Sequence, residues 1–332
     1  DVYFRTRKFK DYGKLSGIAV EDLESGARID VSEQKEDPLD FALWKAAKPG
    51  EPAWHSPWGE GRPGWHIECS AMVRKYLGET IDIHCGGQDL IFPHHENEIA
   101  QSECCTGAPF ARFWMHNGYI NVDNQKMSKS LNNFFTVREI ADKYGYLPIR
   151  HFLLSSHYRS PINFSKDIIE QSAAALERIF GCADALKFYV KNAEGDTLRE
   201  GEEALIAEFE ACRAQMIEAM DDDFNTGGGI AAIYDLIRKL NGAMNGANPA
   251  SRAAVEAGKK IFDELTTLFG FVKEEANDDA LITEIEAAIE ARMAAKKAKN
   301  YAEADRIRSE LAARGIILED TPQGTKYKIT NV

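Results

Sequence analysis

Hydrophobic positions change their spacing part-way along the chain of 332 residues. Up to about residue 155, short runs alternate apolar and polar residues in the manner of strands, and glycines interrupt them. From Ser165 onward, leucine and isoleucine recur three or four residues apart, which predicts a helical bundle running to about Phe271. After a short polar stretch, the pattern predicts helices from Leu281 and then two short strands.

The first part of the chain contains one half-unit of a doubly wound sheet. Residues 80–85 alternate as a strand, Gly86-Gly87 breaks it, and Pro93 is placed to open a helix, because proline is tolerated at the first helical position. Ligands of such sheets lie beyond the C-terminal ends of the strands. The sequence thus predicts an α/β domain, then an α-helical bundle and a small α+β domain.

We expect three domains from these changes of pattern, with the bounds 1–160, 161–275 and 276–332. The chain opens on a strand-like run without an initiator methionine, so we also expect an N-terminal truncation.

Composition narrows the class of protein. No stretch approaches the ~18 to 20 unbroken apolar residues of a membrane span, and no signal sequence opens the chain, so we expect no membrane association and a cytoplasmic location. Six cysteines in a chain this long do not resemble a secreted disulfide framework. The net charge of −13 disfavours indiscriminate nucleic-acid binding unless the basic residues are clustered.

Such a cluster occurs between Arg292 and Arg314, where seven basic residues face three acidic ones. It includes Lys296, Lys297 and Lys299. A solvated helix face explains this composition as well as a nucleic-acid contact does.

The run Lys126-Met127-Ser128-Lys129-Ser130 is the sharpest local signal. Two lysines three residues apart, with hydroxyl residues between them, suit a loop that binds polyphosphate and stabilises its developing charge. The run follows two strand-like segments joined at Asp123-Asn124, a pair typical of a tight turn. The alternative is an ordinary solvated loop.

A second constellation suggests a metal site. His94 and Glu98 are four residues apart on one predicted helix and therefore share a face, and Cys69 could add a thiolate. Zinc accepts sulfur, nitrogen and oxygen ligands in such a set. The alternative is a surface pair of side chains, with Cys69 as a small core residue.

Two further residues are candidates for ligand binding. Asp89 follows the glycine turn and could accept a hydrogen bond from a ribose hydroxyl or pair with an ammonium group, although it could equally cap the turn. Trp65 could form a pocket wall or belong to the core.

Several segments together resemble the cysteinyl-tRNA synthetase family, whose members are class I aminoacyl-tRNA synthetases. The resemblance covers essentially the whole chain, and the segments around Cys69 and after Gly86 carry it most specifically, whereas the lysine loop is specific only to class I. The segments are residues 40–45, 56–59, 61–70, 86–98, 126–130, 221–226 and 315–322.

The resemblance implies a role for each candidate. Cys69, His94 and Glu98 match three of the family's four zinc ligands. Lys129 matches the ATP-binding lysine of its signature loop, with Lys126 assisting in catalysis. The other matches are Trp65 and Asp89 in the cysteine pocket, the final unit as an anticodon-binding domain, and Lys296, Lys297 and Lys299 as contacts to tRNA phosphates.

The implied reaction is the ATP-dependent activation of L-cysteine to cysteinyl-adenylate and its transfer to tRNA(Cys). The resemblance implies one Zn²⁺ per chain, which selects the cysteine thiolate, Mg²⁺ bound with ATP, and a monomer. The family's HIGH segment and its fourth zinc ligand, a cysteine, have no counterpart in this sequence. We therefore expect the chain alone to be inactive, with labile zinc.

Two alternatives remain open at this point. A cysteine ligase of the mycothiol pathway resembles the same catalytic core but lacks the C-terminal anticodon-binding unit, so the segment from Leu281 to Val332 argues against it. A non-catalytic zinc- and RNA-binding remnant would keep the same residues without the activity.

Overall fold

The computed structural model describes residues 1–18, 35–127, 135–273, 279–321 and 324–329. These residues form two compact units, one of residues 1–131 with 158–163 and one of residues 132–157 with 164–332. The domain bounds expected from the sequence stay a prediction.

In the described residues, the first unit consists of short strands, two α-helices and short 3₁₀ and π-helical turns. In chain order its elements are β1 (Val2–Phe4), β2 (Phe41–Ala46), β3 (Gly61–Pro63), α1 (Trp65–Tyr76), β4 (Ile81–Gly87), α2 (Glu96–Thr106), β5 (Ala111–Asn117), β6 (Ile120–Val122), β7 (Gln125–Lys126) and β8 (Ile162–Phe164). Strands β1, β2 and β3 form one sheet, and β7, β6 and β8 form another.

The segment β4–α2–β5 is a crossover unit, in which a helix connects two parallel strands. Ile83 pairs with Phe113 and Gly86 pairs with His116. The half-unit of a doubly wound sheet that the sequence predicts is therefore present. Contrary to expectation, Pro93 does not open a regular helix: the Phe92–Pro93 peptide is cis, Phe92 is extended, and α2 begins at Glu96 after a π-helical turn over Ile91–His95.

One face of this strand pair is apolar and exposed. Ile83 is 50% exposed and its partner Phe113 is 65% exposed, whereas the faces of parallel sheets are usually covered. The opposite face carries His84, which is half-buried beneath α2.

The hairpin β6–β7 precedes the lysine loop. Its two turn residues, Asp123 and Asn124, have φ values of 48° and 62°, the left-handed conformation of a two-residue hairpin turn. The tight turn expected there is confirmed. Lys126 ends β7, and Lys129 lies outside the described residues.

The second unit is helical along most of its length. Its helices before residue 273 are α3 (Val137–Tyr144), α4 (Tyr146–Leu154), α5 (Lys166–Asn192), α6 (Glu202–Asp221), α7 (Thr226–Asn245) and α8 (Arg252–Phe269). Side chains of Ser165, Asn225 and Ser251 cap the N-termini of α5, α7 and α8. Apolar positions that predicted these helices, among them Leu176, Leu236 and Leu240, form their common core.

The end of the chain has a core of its own. It consists of α9 (Asp279–Lys297), α10 (Tyr301–Ala313), β9 (Ile316–Thr321) and β10 (Gly324–Ile329), and the two strands pair antiparallel. Ile285, Leu311 and Leu318 are buried together there. Arg292 is also buried, and its guanidinium donates to both carboxylate oxygens of Asp320 at 2.7 and 2.9 Å. This pair fastens α9 to β9.

His151 of α4 should make the second unit sensitive to acid. Its Nε2 lies 3.2 Å from the hydroxyl of Tyr234, its buried Nδ1 has no hydrogen-bond partner among the described residues, and burial lowers its pKa. A pKa that is lower folded than unfolded gives stability above the ordinary histidine value of about 6.5, and this stability is lost as the pH falls below it.

We therefore expect His151→Phe to flatten the fall in the free energy of unfolding between pH 7 and pH 5, by at most about 1.4 kcal/mol per pH unit. Urea unfolding followed by circular dichroism at several pH values measures it, with the exposed His55→Ala as the control. Equal slopes in the wild type and in His151→Phe would contradict the assignment.

Candidate metal centre

Helix α1 begins close against β2, and this contact positions the first candidate residues. An added Cβ at Gly64, which precedes the helix, would lie 2.0 Å from the carbonyl oxygen of Ala42, so only glycine fits there. Trp65 and Cys69 follow at positions i and i+4 and share one face of α1.

Helix α2 and the turn before it supply the other two ligand candidates. His94 lies in the π-helical turn and is 5% exposed, and Glu98 in the first turn of α2 is fully buried. A carboxylate is rarely buried to this extent unless neighbouring groups compensate its charge.

The three predicted ligands converge. His94 Nε2 lies 3.8 Å from Cys69 Sγ and 2.7 Å from Glu98 Oε1, and the donor atoms all lie within 4.8 Å of one another. Among the described residues, the buried Oε1 has no hydrogen-bond partner despite the nearby imidazole nitrogen. A close approach without a hydrogen bond is what two ligands of one ion would show.

His66 sets the orientation of His94. The two Nδ1 atoms lie 2.8 Å apart, so one ring donates to the other. Burial and the neighbouring His94 lower the pKa of His66 to about 4, so His66 is neutral at neutral pH and can accept. A metal held by Cys69, His94 and Glu98 would require His94 to donate from Nδ1 to His66 and to present Nε2 as the ligand atom, and the contact with His66 allows this tautomer.

The electrostatics of the site favour a cation. Burial opposes the ionisation of Glu98, but the contacts of its oxygens with His84 and His94 outweigh it and lower the pKa to about 2. Burial and the charge of Glu98 raise the pKa of the Cys69 thiol to about 11. A bound divalent cation would reverse the second effect, because it stabilises the thiolate directly.

Trp65 lies against the same site. Its ring stacks on that of His94, with centroids 4.6 Å apart and planes 29° apart, while the side chain stays 61% exposed. The indole thus forms one open wall beside the three ligand candidates.

Asp89 lies in the short 3₁₀ turn between β4 and the π-helical turn. Its carboxylate folds back over Gly87, whose added Cβ would lie 2.5 Å from Asp89 Oδ1. The neighbouring Gln88 side chain donates to the carbonyl oxygen of Arg159 at 2.9 Å and holds this turn. Asp89 is therefore at the C-terminal end of β4, as its place in the sequence predicts.

The sequence reasoning missed the remaining histidines of this region. His84 donates from Nε2 to Glu98 Oε2 at 2.7 Å, and His95 Nδ1 lies 2.8 Å from His116 Nε2. A usable signal existed, because five of the eight histidines fall between residues 66 and 116.

The basic helix is partly neutralised. Lys296 donates to Asp320 at 2.6 Å, the same carboxylate that holds Arg292. Lys297 and Lys299 are exposed, and Lys299 follows the end of α9 with φ of 58°. The three lysines are thus near one another in the chain but differ in their partners.

Comparison with known proteins gives matches along almost the whole chain. The family model for the tRNA synthetases class I (C) catalytic domain matches residues 1–174, that for the DALR domain matches 215–273, and that for the cysteinyl-tRNA ligase anticodon binding domain matches 278–327. The cysteine–tRNA ligase of Caldicellulosiruptor saccharolyticus is 57% identical over 329 residues, which are 99% of this chain and 70% of that protein. The chain belongs to the cysteine–tRNA ligase family.

Other members of the cysteine–tRNA ligase family match equally far. The protein of Symbiobacterium thermophilum is 54% identical over 330 residues, again 99% of this chain and 70% of the relative. Among solved structures, the LeuRS of Agrobacterium radiobacter in its ternary complex with tRNA and LeuAMS aligns with a TM-score of 0.50 and 17% identity. That match covers 66% of this chain and 34% of LeuRS, and at this identity it shows a shared fold alone.

These matches confirm the family and the fold class expected from the sequence, a class I catalytic domain followed by a helical region and an anticodon-binding domain. In the part of the chain that the structure describes, no helix is long and apolar enough to cross a membrane.

Proposed function

We propose that this chain belongs to an enzyme that activates L-cysteine with ATP and transfers it to tRNA(Cys), and that Cys69, His94 and Glu98 hold one Zn²⁺ for selecting the cysteine thiol. The convergence of one sulfur, one nitrogen and one carboxylate oxygen beside Trp65 carries this proposal. The family's named activity, that of a cysteine–tRNA ligase, supplies the reaction.

The donor set fits zinc. A thiolate, an imidazole and a carboxylate are all zinc ligands, and three protein ligands leave room for a further one. When bound, zinc would offer a position that prefers a thiolate to the hydroxyl of serine. Apolar contacts alone distinguish such similar side chains by only about 1–3 kcal/mol, so a pocket without the metal would discriminate poorly.

The chain's own residues would orient the amino acid around this position. Trp65 forms an apolar wall next to His94, and the Asp89 carboxylate at the end of β4 can pair with the ammonium group of cysteine. Lys126 and Lys129 would stabilise the charge that develops on the phosphates of ATP, which binds with Mg²⁺. Most of the rate acceleration would then come from positioning and charge stabilisation.

The acceptor is more consistent with tRNA than with an amino sugar. The match of residues 278–327 to an anticodon-binding domain favours a tRNA ligase over a ligase of the mycothiol pathway.

We further assign the protein to the cytoplasm as a monomer. That the chain alone does not activate cysteine stays a prediction, and cysteine-dependent ATP–pyrophosphate exchange tests it.

The zinc assignment predicts a loss of affinity when its sulfur ligand is removed. We expect Cys69→Ser to lower the affinity of the tightest zinc site by about 100-fold or more. Even the loss of a group that only supports a ligand lowers metal affinity by about 10- to 100-fold. Competition with a chromogenic chelator measures the affinity. Cys85→Ser, which removes an exposed thiol, is the matched control. Unchanged affinity in Cys69→Ser would remove this residue from the site.

The lysine loop should act on adenylation rather than on zinc. In an active enzyme that contains this chain, Lys129→Ala should lower the ATP–pyrophosphate exchange rate by about 100-fold, the usual cost of losing one group that stabilises transition-state charge. Zinc content should not change. Lys75→Ala on the exposed side of α1 is the control. Full exchange activity in Lys129→Ala would refute the role.

The basic segment should contact phosphates mainly through its exposed lysines. Replacing Lys297 and Lys299 with alanine should lower the magnitude of the slope of log affinity for tRNA against log salt by about 1.4 to 1.8, because two contacts fewer release fewer counterions. Lys296→Ala should change it less, since Asp320 already compensates that charge. Filter binding at several salt concentrations measures the slopes, with Lys260→Ala as the control. A larger effect from Lys296→Ala would contradict this division.

A further inference from the structure

Glu98 faces a second set of donor atoms with its other oxygen. His84, His95 and Glu98 each offer one ligand atom, and these atoms lie within 4.8 Å of one another. His84 Nε2 is 2.7 Å from Glu98 Oε2, and the rings of His84 and His95 have centroids 4.8 Å apart. This set uses none of the nitrogen or sulfur atoms of the Cys69 site.

The two halves of the cluster are built alike. In the first half, His94 is supported by His66 at 2.8 Å, and in the second half, His95 is supported by His116 at 2.8 Å. A histidine that donates its remote N–H to a second group is fixed in the tautomer and ring orientation that a metal needs.

The backbone makes room for the His95 ring. A Cβ added to Gly86 would lie 2.7 Å from His95 Cε1 and 2.9 Å from its Nε2, so a larger residue would displace the imidazole. Trp114 lies beside both histidines, with its ring centroid 4.8 Å from that of His84 and 5.1 Å from that of His95. The second set is therefore closely packed, with His95 and Glu98 buried, rather than an exposed group of side chains.

We infer that His84, His95 and Glu98 form a second site for a divalent transition-metal ion, which shares the Glu98 carboxylate with the Cys69 site. Two imidazoles and one carboxylate are a donor set that zinc uses in its own right. The same set suits other borderline ions such as Co²⁺. This inference goes beyond the proposed function, because neither cysteine selection nor adenylation requires it.

Charge decides the order in which the two sites fill. The Cys69 thiolate and the Glu98 carboxylate together neutralise one divalent ion, whereas a second ion adds two positive charges against neutral imidazoles only. The second site should therefore fill after the first, at a higher concentration of free metal. Removing the thiolate should leave the second site as the better one.

Cobalt titration of the metal-stripped 332-residue chain tests this inference. We expect two Co²⁺ per chain: the first brings the sulfur-to-cobalt charge-transfer absorption of a thiolate ligand, and the second adds only the d–d absorption of a nitrogen–oxygen site. Cys69→Ser should lose the charge-transfer band and still bind one Co²⁺. His95→Ala should keep the band and bind one ion instead of two.

His84→Gln separates a ligand from a supporting residue. Its amide can still donate a hydrogen bond to Glu98, but it removes the imidazole, so we expect one Co²⁺ with the thiolate band intact. His55→Ala, which removes an exposed histidine, should keep both ions. Circular dichroism of each variant serves as the control for folding.

Two results would overturn the inference. One is a folded Cys69→Ser that binds no Co²⁺ over the range in which the wild type fills, and the other is a His84→Gln that still binds two ions. In either case His84 would only orient Glu98. A failure of the zinc assignment looks different, because the wild type would then bind Co²⁺ without any thiolate band.

Discussion

The fully buried carboxylate of Glu98 is the constraint on which the first unit depends. A charge in this position persists only when neighbouring groups compensate it, since its desolvation costs several kcal/mol. His84 of β4 approaches one oxygen and His94 of the π-helical turn approaches the other, each at 2.7 Å. A strand, a turn and a helix are thereby held together at one point by polar contacts, beside the small apolar cluster to which Ala100 and Phe92 contribute.

Helix α2 carries a second buried carboxylate two residues earlier. Glu96 accepts the backbone N–H groups of Gly13 and Ser16, both at 2.9 Å. Residues two apart on a helix point to nearly opposite sides, so one acid anchors the segment before residue 18 while the other faces the histidines. The helix is thus buried on two sides by charged groups, which explains why its sequence lacks the apolar stripe of an ordinary buried helix.

Periodicity was sufficient for the helical part of the chain, because local spacing and the caps at residues such as Ser165 determine each helix there. The pairing of His94 with Glu98 was also readable, since both lie within one helical turn. The contact of His84 with Glu98 was not, because it depends on how a strand packs beneath a helix. Likewise, no local signal at Pro93 indicates that the regular helix starts only at Glu96.

The left-handed turn of the β6–β7 hairpin restricts which sequences can occupy it. Glycine, asparagine and aspartate tolerate positive φ, whereas a β-branched residue at position 123 or 124 would be strained. A two-residue loop cannot absorb an extra residue without changing the strand register. Inserting one residue would therefore shift the pairing of Asn121 with Lys126 and turn the side chains of β7 to the other face of the sheet. Variants of this chain that keep the hairpin should therefore tolerate few residue types at positions 123 and 124, although the turn lies at the surface.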